Sequence, residues 1–285
     1  DIMLHKDISE AYTQGGKALG ETVDKLFKKT KKDKKIILKQ YSQATKRLIL
    51  LDYDGTLTKF VDSPDPHKAK PSRRIIDLLG RLSKVKNNKV VIISGRPKRA
   101  LANWFKNISV MLVAEHGGWI KRIKSWVKTR SPNDDWKKSL KPILESYVDR
   151  TPGAILETKD FALVWHYRNV NPDLAYVRRQ ELAKEIEMAL NDFAKEIGVF
   201  FGNKIIELKP KYLGKGETAR RLTTEDKYDF VLAMGDDYTD EEMFEALPEE
   251  AISIKVGIDS SMAKYHVDNV DEAQQLIHDL GNSTT

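Results

Sequence analysis

The sequence predicts an α/β fold: a mostly parallel sheet covered by helices, with a smaller α+β domain inserted into it. Three observations predict this: short apolar runs recurring along the chain, helix-period segments between them, and a central stretch of different texture. The runs are RLILL (47–51), KVVII (89–93), VMLVA (110–114), DFVLAM (229–234) and AISIKV (251–256). RLILL is too apolar to alternate, as strands buried on both faces are, and the other four are further buried-strand candidates. The first three are separated by PSRRIIDLLGRLSKV (71–85) and RPKRALANWF (96–105), whose apolar residues recur at helical spacing. Strand, helix, strand in succession gives parallel neighbours.

The central stretch, 119–208, begins with WIKRIKSWV as one or two strands and DDWKKSLKPILESYVDR as a helix. AILETK and FALVWHYR are two further strands. A long helix over 173–196 carries the stripe Leu174, Val177, Leu182, Ile186, Ala189, Leu190 and Phe193, read as core packing, and VFFG–NKIIEL closes the region as a hairpin. The expected organisation is a helical lead-in or linker remnant at 1–45, a first core segment at 46–118, an inserted α+β cap at 119–208 and a second core segment at 209–285.

The 285 residues carry 49 Lys+Arg against 42 Asp+Glu, a net charge of +7. KKTKKDKK at 28–35 holds much of the excess. Such a run reads as a solvated linker, whereas a nucleic-acid binder places its charge along a folded face. The chain has no cysteine, which excludes disulfides, a thiolate nucleophile and Cys-based zinc, and fits a reducing, cytoplasmic setting. No run approaches the roughly 20 apolar residues of a membrane span. The start, DIMLHKDISE, has neither initiator Met nor signal pattern and reads as cut from a longer chain.

LLDYDGTL places Asp52 and Asp54 just beyond the first apolar run. In an open α/β sheet, ligands bind at this carboxyl edge. Residues two apart leave a strand on the same side, and two carboxylates in a dry site require a cation or a shared proton. An ordinary Asx turn ending the strand is the lesser reading of Asp-Tyr-Asp-Gly taken alone. A second acidic group, Asp236, Asp237 and Asp240 in VLAMGDDYTDEE, follows another apolar run. If those strands are neighbours, oxygen ligands converge in a site suited to Mg²⁺. Gly55 and Thr56 offer a turning backbone and a hydroxyl, Ser94 with Gly95 follows KVVII, and Lys215 lies between glycines in LGKGET. GKGET lacks the G-x-x-x-x-G-K-[ST] form of a nucleotide-binding P-loop. His5, His67, His266 and His278 show no metal-ligand spacing, and Trp119, Trp126 and Trp165 read as packing.

With DYDGTL, IISGR (92–96), AEHGG (114–118), ILETKDFALVWHYR (155–168), IIELKP (205–210), GKGET (214–218) and GDDYTDEEMF (235–244), the chain resembles the haloacid-dehalogenase superfamily. Within it, the chain is most similar to the trehalose-6-phosphate phosphatases, particularly the phosphatase portion of bifunctional synthase/phosphatase chains. The resemblance implies a Rossmann-like haloacid-dehalogenase core with an inserted cap that covers the sheet edge. It implies hydrolysis of a phosphorylated sugar through an aspartyl-phosphate on Asp52, with Asp54 as acid and then base. Mg²⁺ would be held by Asp52, the Asp54 carbonyl and Asp236, supported by Asp237 and Asp240. Thr56, Ser94, Gly95 and Lys215 would bind the phosphoryl group. Arg96, Glu115, His116, Gly117, Glu157, Lys159, His166, Arg168, Glu207 and Lys209 would meet the sugar. A trehalose-phosphate synthase domain or subunit is the implied partner. The chain departs from the family pattern at Lys59–Phe60, Lys209 and Gly214, where family members commonly carry Pro, Arg and Asn. The last two bear on sugar recognition. Sucrose-phosphate or mannosylglycerate-phosphate hydrolysis, and an inactive domain supporting a synthase, are the alternative readings.

Overall fold

The computed structural model describes residues 33–61, 69–122, 125–130 and 133–283. The lead-in up to residue 32, most of the lysine run, His5 and His67 lie outside the described residues. In chain order the elements are α1 (33–43), β1 (Arg47–Leu51), α2 (Arg73–Lys84), β2 (Asn88–Ile93), α3 (Lys98–Trp104), β3 (Met111–Ala114), β4 (Trp119–Arg122) and β5 (Ser125–Lys128). There follow α4 (Asp135–Asp149), β6 (Ile155–Thr158), β7 (Leu163–His166), α5 (Pro172–Leu190), β8 (Ile197–Gly202) and β9 (Ile205–Pro210). The chain ends with α6 (Lys215–Thr224), β10 (Phe230–Gly235), α7 (Tyr238–Glu245), β11 (Ile252–Val256), β12 (Tyr265–Val267) and α8 (Val270–Asn282).

The described residues form two units. One holds those up to Ser94, Ala100–Leu112 and those from Lys215 onward; the other holds Gly95–Arg99 and Val113–Gly214. The second therefore runs a few residues wider at each end than the 119–208 span expected for the insertion, and takes in the loop after Ser94.

In the first unit β1 is buried at all five positions, as its unbroken apolar run requires. It pairs in parallel with β2 on one side and β10 on the other, and β11 and β12 extend the sheet beyond β10. The register sets Leu51 beside both Ile92 and Met234, so three strands end at one level. Helix α2 starts at Ser72, whose hydroxyl accepts from the Ile75 amide, and buries Ile75, Leu78, Leu79 and Leu82, the i, i+3, i+4, i+7 stripe of its sequence. Ile37 and Tyr41 of α1 are also buried. The Arg47 guanidinium lies 4.5 Å from the Tyr41 ring centre and donates to its carbonyl at 2.7 Å. The end of the lead-in thus belongs to this core.

In the second unit β6, β7, β9 and β8 form an antiparallel sheet in that order, and β4 and β5 pair as a hairpin. Helices α4 and α5 bury Trp136, Leu140, Leu144, Leu182, Ile186 and Leu190 with Trp165, Ile206 and Leu208 from the sheet. Two details differ from the periodicity. Helix α5 stops at Leu190, where a 3₁₀ turn follows, and Val177 is half exposed. Ala175, two residues earlier, takes the buried position, roughly 200° around a 3.6-residue helix from Val177. Among the described residues, no helix is long and apolar enough to cross a membrane.

Candidate active site

The polar groups of the first unit gather where β1 and β10 end together. The Asp52 amide donates to the Met234 carbonyl at 3.0 Å, which continues the ladder one step and leaves the Asp52 side chain at the sheet edge. Asp52 is 4% exposed. The chain then turns: Gly55 adopts φ +86°, and its amide bonds the Thr58 carbonyl at 2.8 Å. A Cβ there would come within 2.0 Å of Asp236 Oδ2, so only glycine lets the two loops approach this closely. Thr56, fully buried, donates its hydroxyl to Asp236 Oδ1 at 2.9 Å. Asp54 lies in the same turn, bridged to Thr58 and partly exposed, and Ser94 is buried just past β2.

Lys215 opens α6 and is 2% exposed. Its ammonium donates to Asp52 Oδ1 at 2.7 Å and Asp240 Oδ1 at 2.8 Å, with Asp237 Oδ1 at 3.8 Å. Burial alone would lower its pKa; Asp240, Asp52 and Asp237 instead hold it well above the usual lysine range. Asp237 and Asp240 build the start of α7 as a capping box. Asp237 Oδ1 accepts from the Thr239 amide and hydroxyl, while Asp240 Oδ2 accepts from the amides of Asp236 and Asp237 at 3.1 Å each.

Carboxylate oxygens of Asp52, Asp236 and Asp240 lie within 4.8 Å of one another. Burial pushes Asp52 up to about 8, and Asp236 and Asp237 add to the rise against the pull of Lys215. Asp236 is raised to about 6 by burial, Asp240 and Asp237. One lysine therefore leaves the cluster short of positive charge. Asp52 Oδ2 is buried and has no hydrogen-bond partner among the described residues. An all-oxygen donor set with an orphaned buried carboxylate oxygen fits a hard dication. Both Asp240 oxygens, by contrast, are already engaged.

The second unit holds its own polar cluster, centred on Glu207 of β9. Around this 4%-exposed carboxylate stand His116 Nε2, Lys159 Nζ and Lys209 Nζ, each at 3.6 Å. Burial would raise the Glu207 pKa, but His116, Lys159 and Lys209 hold it down to about 2. Lys159 also reaches the Gly95 carbonyl at 3.3 Å and Glu157 at 3.9 Å. Glu157 meets His166 at 3.0 Å; that hydrogen bond, with Lys159 and Arg96 nearby, outweighs burial and keeps Glu157 at about 2. A Cβ on Gly95 would come within 2.5 Å of His116 Nε2, so the bare backbone there makes room for the imidazole.

Glu115 and His116 adopt φ 50° and 54°, a left-handed conformation that costs energy outside glycine and recurs at functional sites. Gly117 follows at φ 109°, its carbonyl accepting from the Thr129 hydroxyl. Glu115 is fixed by the Phe161 amide at 2.9 Å, and burial raises its pKa. Its amide donates in turn to the Arg96 carbonyl. Arg168 donates to the Asn203 carbonyl at 2.8 Å in the β8–β9 turn. The sequence reading missed Lys255 of β11, 5% exposed, whose ammonium donates to the Asp236 carbonyl. Its one signal was a charge within the apolar run AISIKV.

A parallel sheet with an acidic carboxyl edge and a separate antiparallel unit is the fold of the haloacid dehalogenase-like hydrolases. One from Bacteroides thetaiotaomicron matches 81% of this chain with a TM-score of 0.60 at 19% identity. The family model of trehalose-phosphatase matches residues 50–275, and the chain belongs to that family. The C-terminal domain of C. albicans trehalose-6-phosphate phosphatase is 32% identical, with a TM-score of 0.79 over 87% of this chain and 96% of that one. The bifunctional trehalose-6-phosphate synthase/phosphatase of Thermoproteus tenax is 35% identical over 241 residues, 84% of this chain and 32% of that protein. The chain spans about a quarter to a third of the length of the curated relatives it matches first.

Proposed function

We propose that this chain hydrolyses trehalose 6-phosphate to trehalose and phosphate, with Mg²⁺ as cofactor and Asp52 as nucleophile. The observation that carries the reading is the buried Asp52–Lys215–Asp240 arrangement at the edge of the parallel sheet, with Asp52 Oδ2 lacking a hydrogen-bond partner among the described residues. Family membership directs the choice of sugar.

In the proposed reaction a carboxylate oxygen of Asp52 bonds to phosphorus while the bond from phosphorus to the sugar oxygen breaks. That oxygen takes the proton of Asp54. Water then attacks the aspartyl-phosphate, giving its proton to Asp54, and Asp52 leaves as a carboxylate with phosphate released. Lys215, the Thr56 and Gly95 backbones and Ser94 would hold the phosphoryl oxygens. Asp52, the Asp54 carbonyl and Asp236 would hold Mg²⁺. Asp237 and Asp240, engaged with α7 and Lys215, would set the loop behind them. When bound, the ion would supply the positive charge the carboxylates lack and restore Asp52 to its nucleophilic anion.

Sugar recognition is assigned to the polar cluster of the second unit: Glu207, Lys159, Lys209, His116 and Glu157, with Arg96, Glu115, Gly117, His166 and Arg168 shaping it. Alternating carboxylates and ammonium groups suit sugar hydroxyls, which both donate and accept. A trehalose-phosphate synthase domain or subunit is the proposed partner, supported by the bifunctional T. tenax relative.

Phosphate release by the purified chain from trehalose 6-phosphate, glucose 6-phosphate, sucrose 6-phosphate and mannosylglycerate-phosphate tests the reading. The highest kcat/KM is expected on trehalose 6-phosphate. A higher value on another member of the panel would reassign the substrate, and none on any would refute the activity.

A further inference from the structure

A lysine buried inside a sheet is costly unless it is paired, because removing an ammonium from water disfavours its charge. Lys255 lies on β11 in register with Gly235, the last residue of β10 and the neighbour of Asp236. Its side chain is 6% exposed, and its ammonium donates to the backbone carbonyl of Asp236. Its other neighbour is Glu241 Oε1, 3.8 Å away. Glu241 is in turn held through its second oxygen, which accepts from the Ser261 hydroxyl at 3.1 Å and the Met262 amide at 2.7 Å. Lys255 thus joins three pieces of chain: the end of β10, helix α7 and the loop after β11.

The same peptide carbonyl governs how Asp236 leaves the strand. The Asp236 carboxylate is steered from two other sides, by the Thr56 hydroxyl on Oδ1 and by the close approach of the Gly55 turn. With its amide fixed on Asp240 Oδ2 and its carbonyl on Lys255, the Asp236 backbone is held at both ends. Lys255 also places a second buried ammonium beside the acidic loop whose Asp240 pairs with Lys215.

From this geometry we infer that Lys255 is a positioning residue for the metal site. It clamps the Asp236 carbonyl, and so aims the Asp236 carboxylate at the space shared with Asp52. The inference rests on the proposed Mg²⁺ site and adds a residue to it. Groups that orient a ligand from behind typically change metal affinity by about 10- to 100-fold when removed. Lys255→Met keeps the aliphatic stem and loses the donor, so its Mg²⁺ dissociation constant should rise at least about tenfold. At saturating Mg²⁺ the KM for substrate should stay close to the wild-type value, because Lys255 touches neither the sugar nor the phosphoryl binding groups.

The test is calorimetric titration of Mg²⁺ into the substrate-free protein, wild type against Lys255→Met, with circular dichroism to establish that the variant is folded. If leaving Glu241 without its partner prevents folding, Lys255→Met/Glu241→Gln removes both charges and is titrated in its place. Weaker Mg²⁺ binding with unchanged substrate KM supports the clamp. A dissociation constant within twofold of wild type in the folded variant overturns it and leaves the metal site standing. Absence of Mg²⁺ binding by the wild-type protein overturns the metal site and the clamp together.

Discussion

Asp52→Asn should abolish phosphate release and at the same time stabilise the metal-free protein. The side chains are nearly isosteric, and the amide oxygen can still accept from Lys215. What disappears is a carboxylate that burial, Asp236 and Asp237 push from 3.8 to about 8. The sign follows from linkage. A carboxylate with a raised folded-state pKa destabilises the native state progressively as pH rises from its unfolded value to its folded one. At about 1.4 kcal/mol per pKa unit, the penalty near pH 7 is on the order of 4 kcal/mol at most. The variant should therefore be about 2–4 kcal/mol more stable than wild type near pH 7 in chelator, with the gain saturating above about pH 8 and vanishing below about pH 4. Urea unfolding followed by tryptophan fluorescence, at several pH values with and without Mg²⁺, measures it. Added Mg²⁺ should stabilise wild type and narrow the gap. A variant less stable than wild type at pH 8 in chelator, or a gain independent of pH, would refute the view that charge repulsion is stored at this edge.

Chelation should stop turnover, and Mg²⁺ should restore it where Ca²⁺, with its looser and larger coordination, does so poorly; phosphate release after dialysis measures this. Glu207→Gln leaves His116, Lys159 and Lys209 without their shared anion and should cost about 3–5 kcal/mol in urea unfolding at neutral pH. Because Glu207 is held at about 2, its stabilisation should be complete above its ordinary value of 4.5 and fade as pH falls from there toward 2, so the difference between wild type and variant should shrink over that window. Tyr41→Ala should lower stability by about 3–5 kcal/mol, since the ring is fully buried and packs edge-on against Phe230 at 5.4 Å. Chains starting at residue 33 and at residue 45, compared by thermal unfolding, should show that the loss of stability begins only when α1 is removed.

The sequence made the core of the fold legible because buried parallel strands write continuous apolar runs, and five such runs became strands β1, β2, β3, β10 and β11. Asp52 and Asp236 could be placed together because each follows such a run, and parallel neighbours end at the same edge. Their electrostatics could not be read: the Lys215 bridge from Asp52 to Asp240 depends on distances across 163 and 25 residues of chain. Strand β12 is three residues long and carries too little pattern to register. Helix α8 did carry a stripe, Val270, Ala273, Leu276, Ile277 and Leu280, and its Asn269 cap. Val177 was misplaced because an apolar residue between two helical faces fits a stripe drawn one position wide. The clamp made by Lys255 joins β11 to the end of β10 and to α7, contacts that a single charge in a strand pattern does not reveal.

Covalent phosphorylation of Asp52 is the step on which the proposed hydrolysis depends. Mass spectrometry of acid-quenched protein, mixed for milliseconds with trehalose 6-phosphate and Mg²⁺ and then digested, reads this directly. A phosphoryl adduct on the peptide carrying Asp52, formed before phosphate appears and absent from Asp52→Asn, is the predicted result. Phosphate release with no adduct at any time, or an adduct that persists in Asp52→Asn, would contradict it.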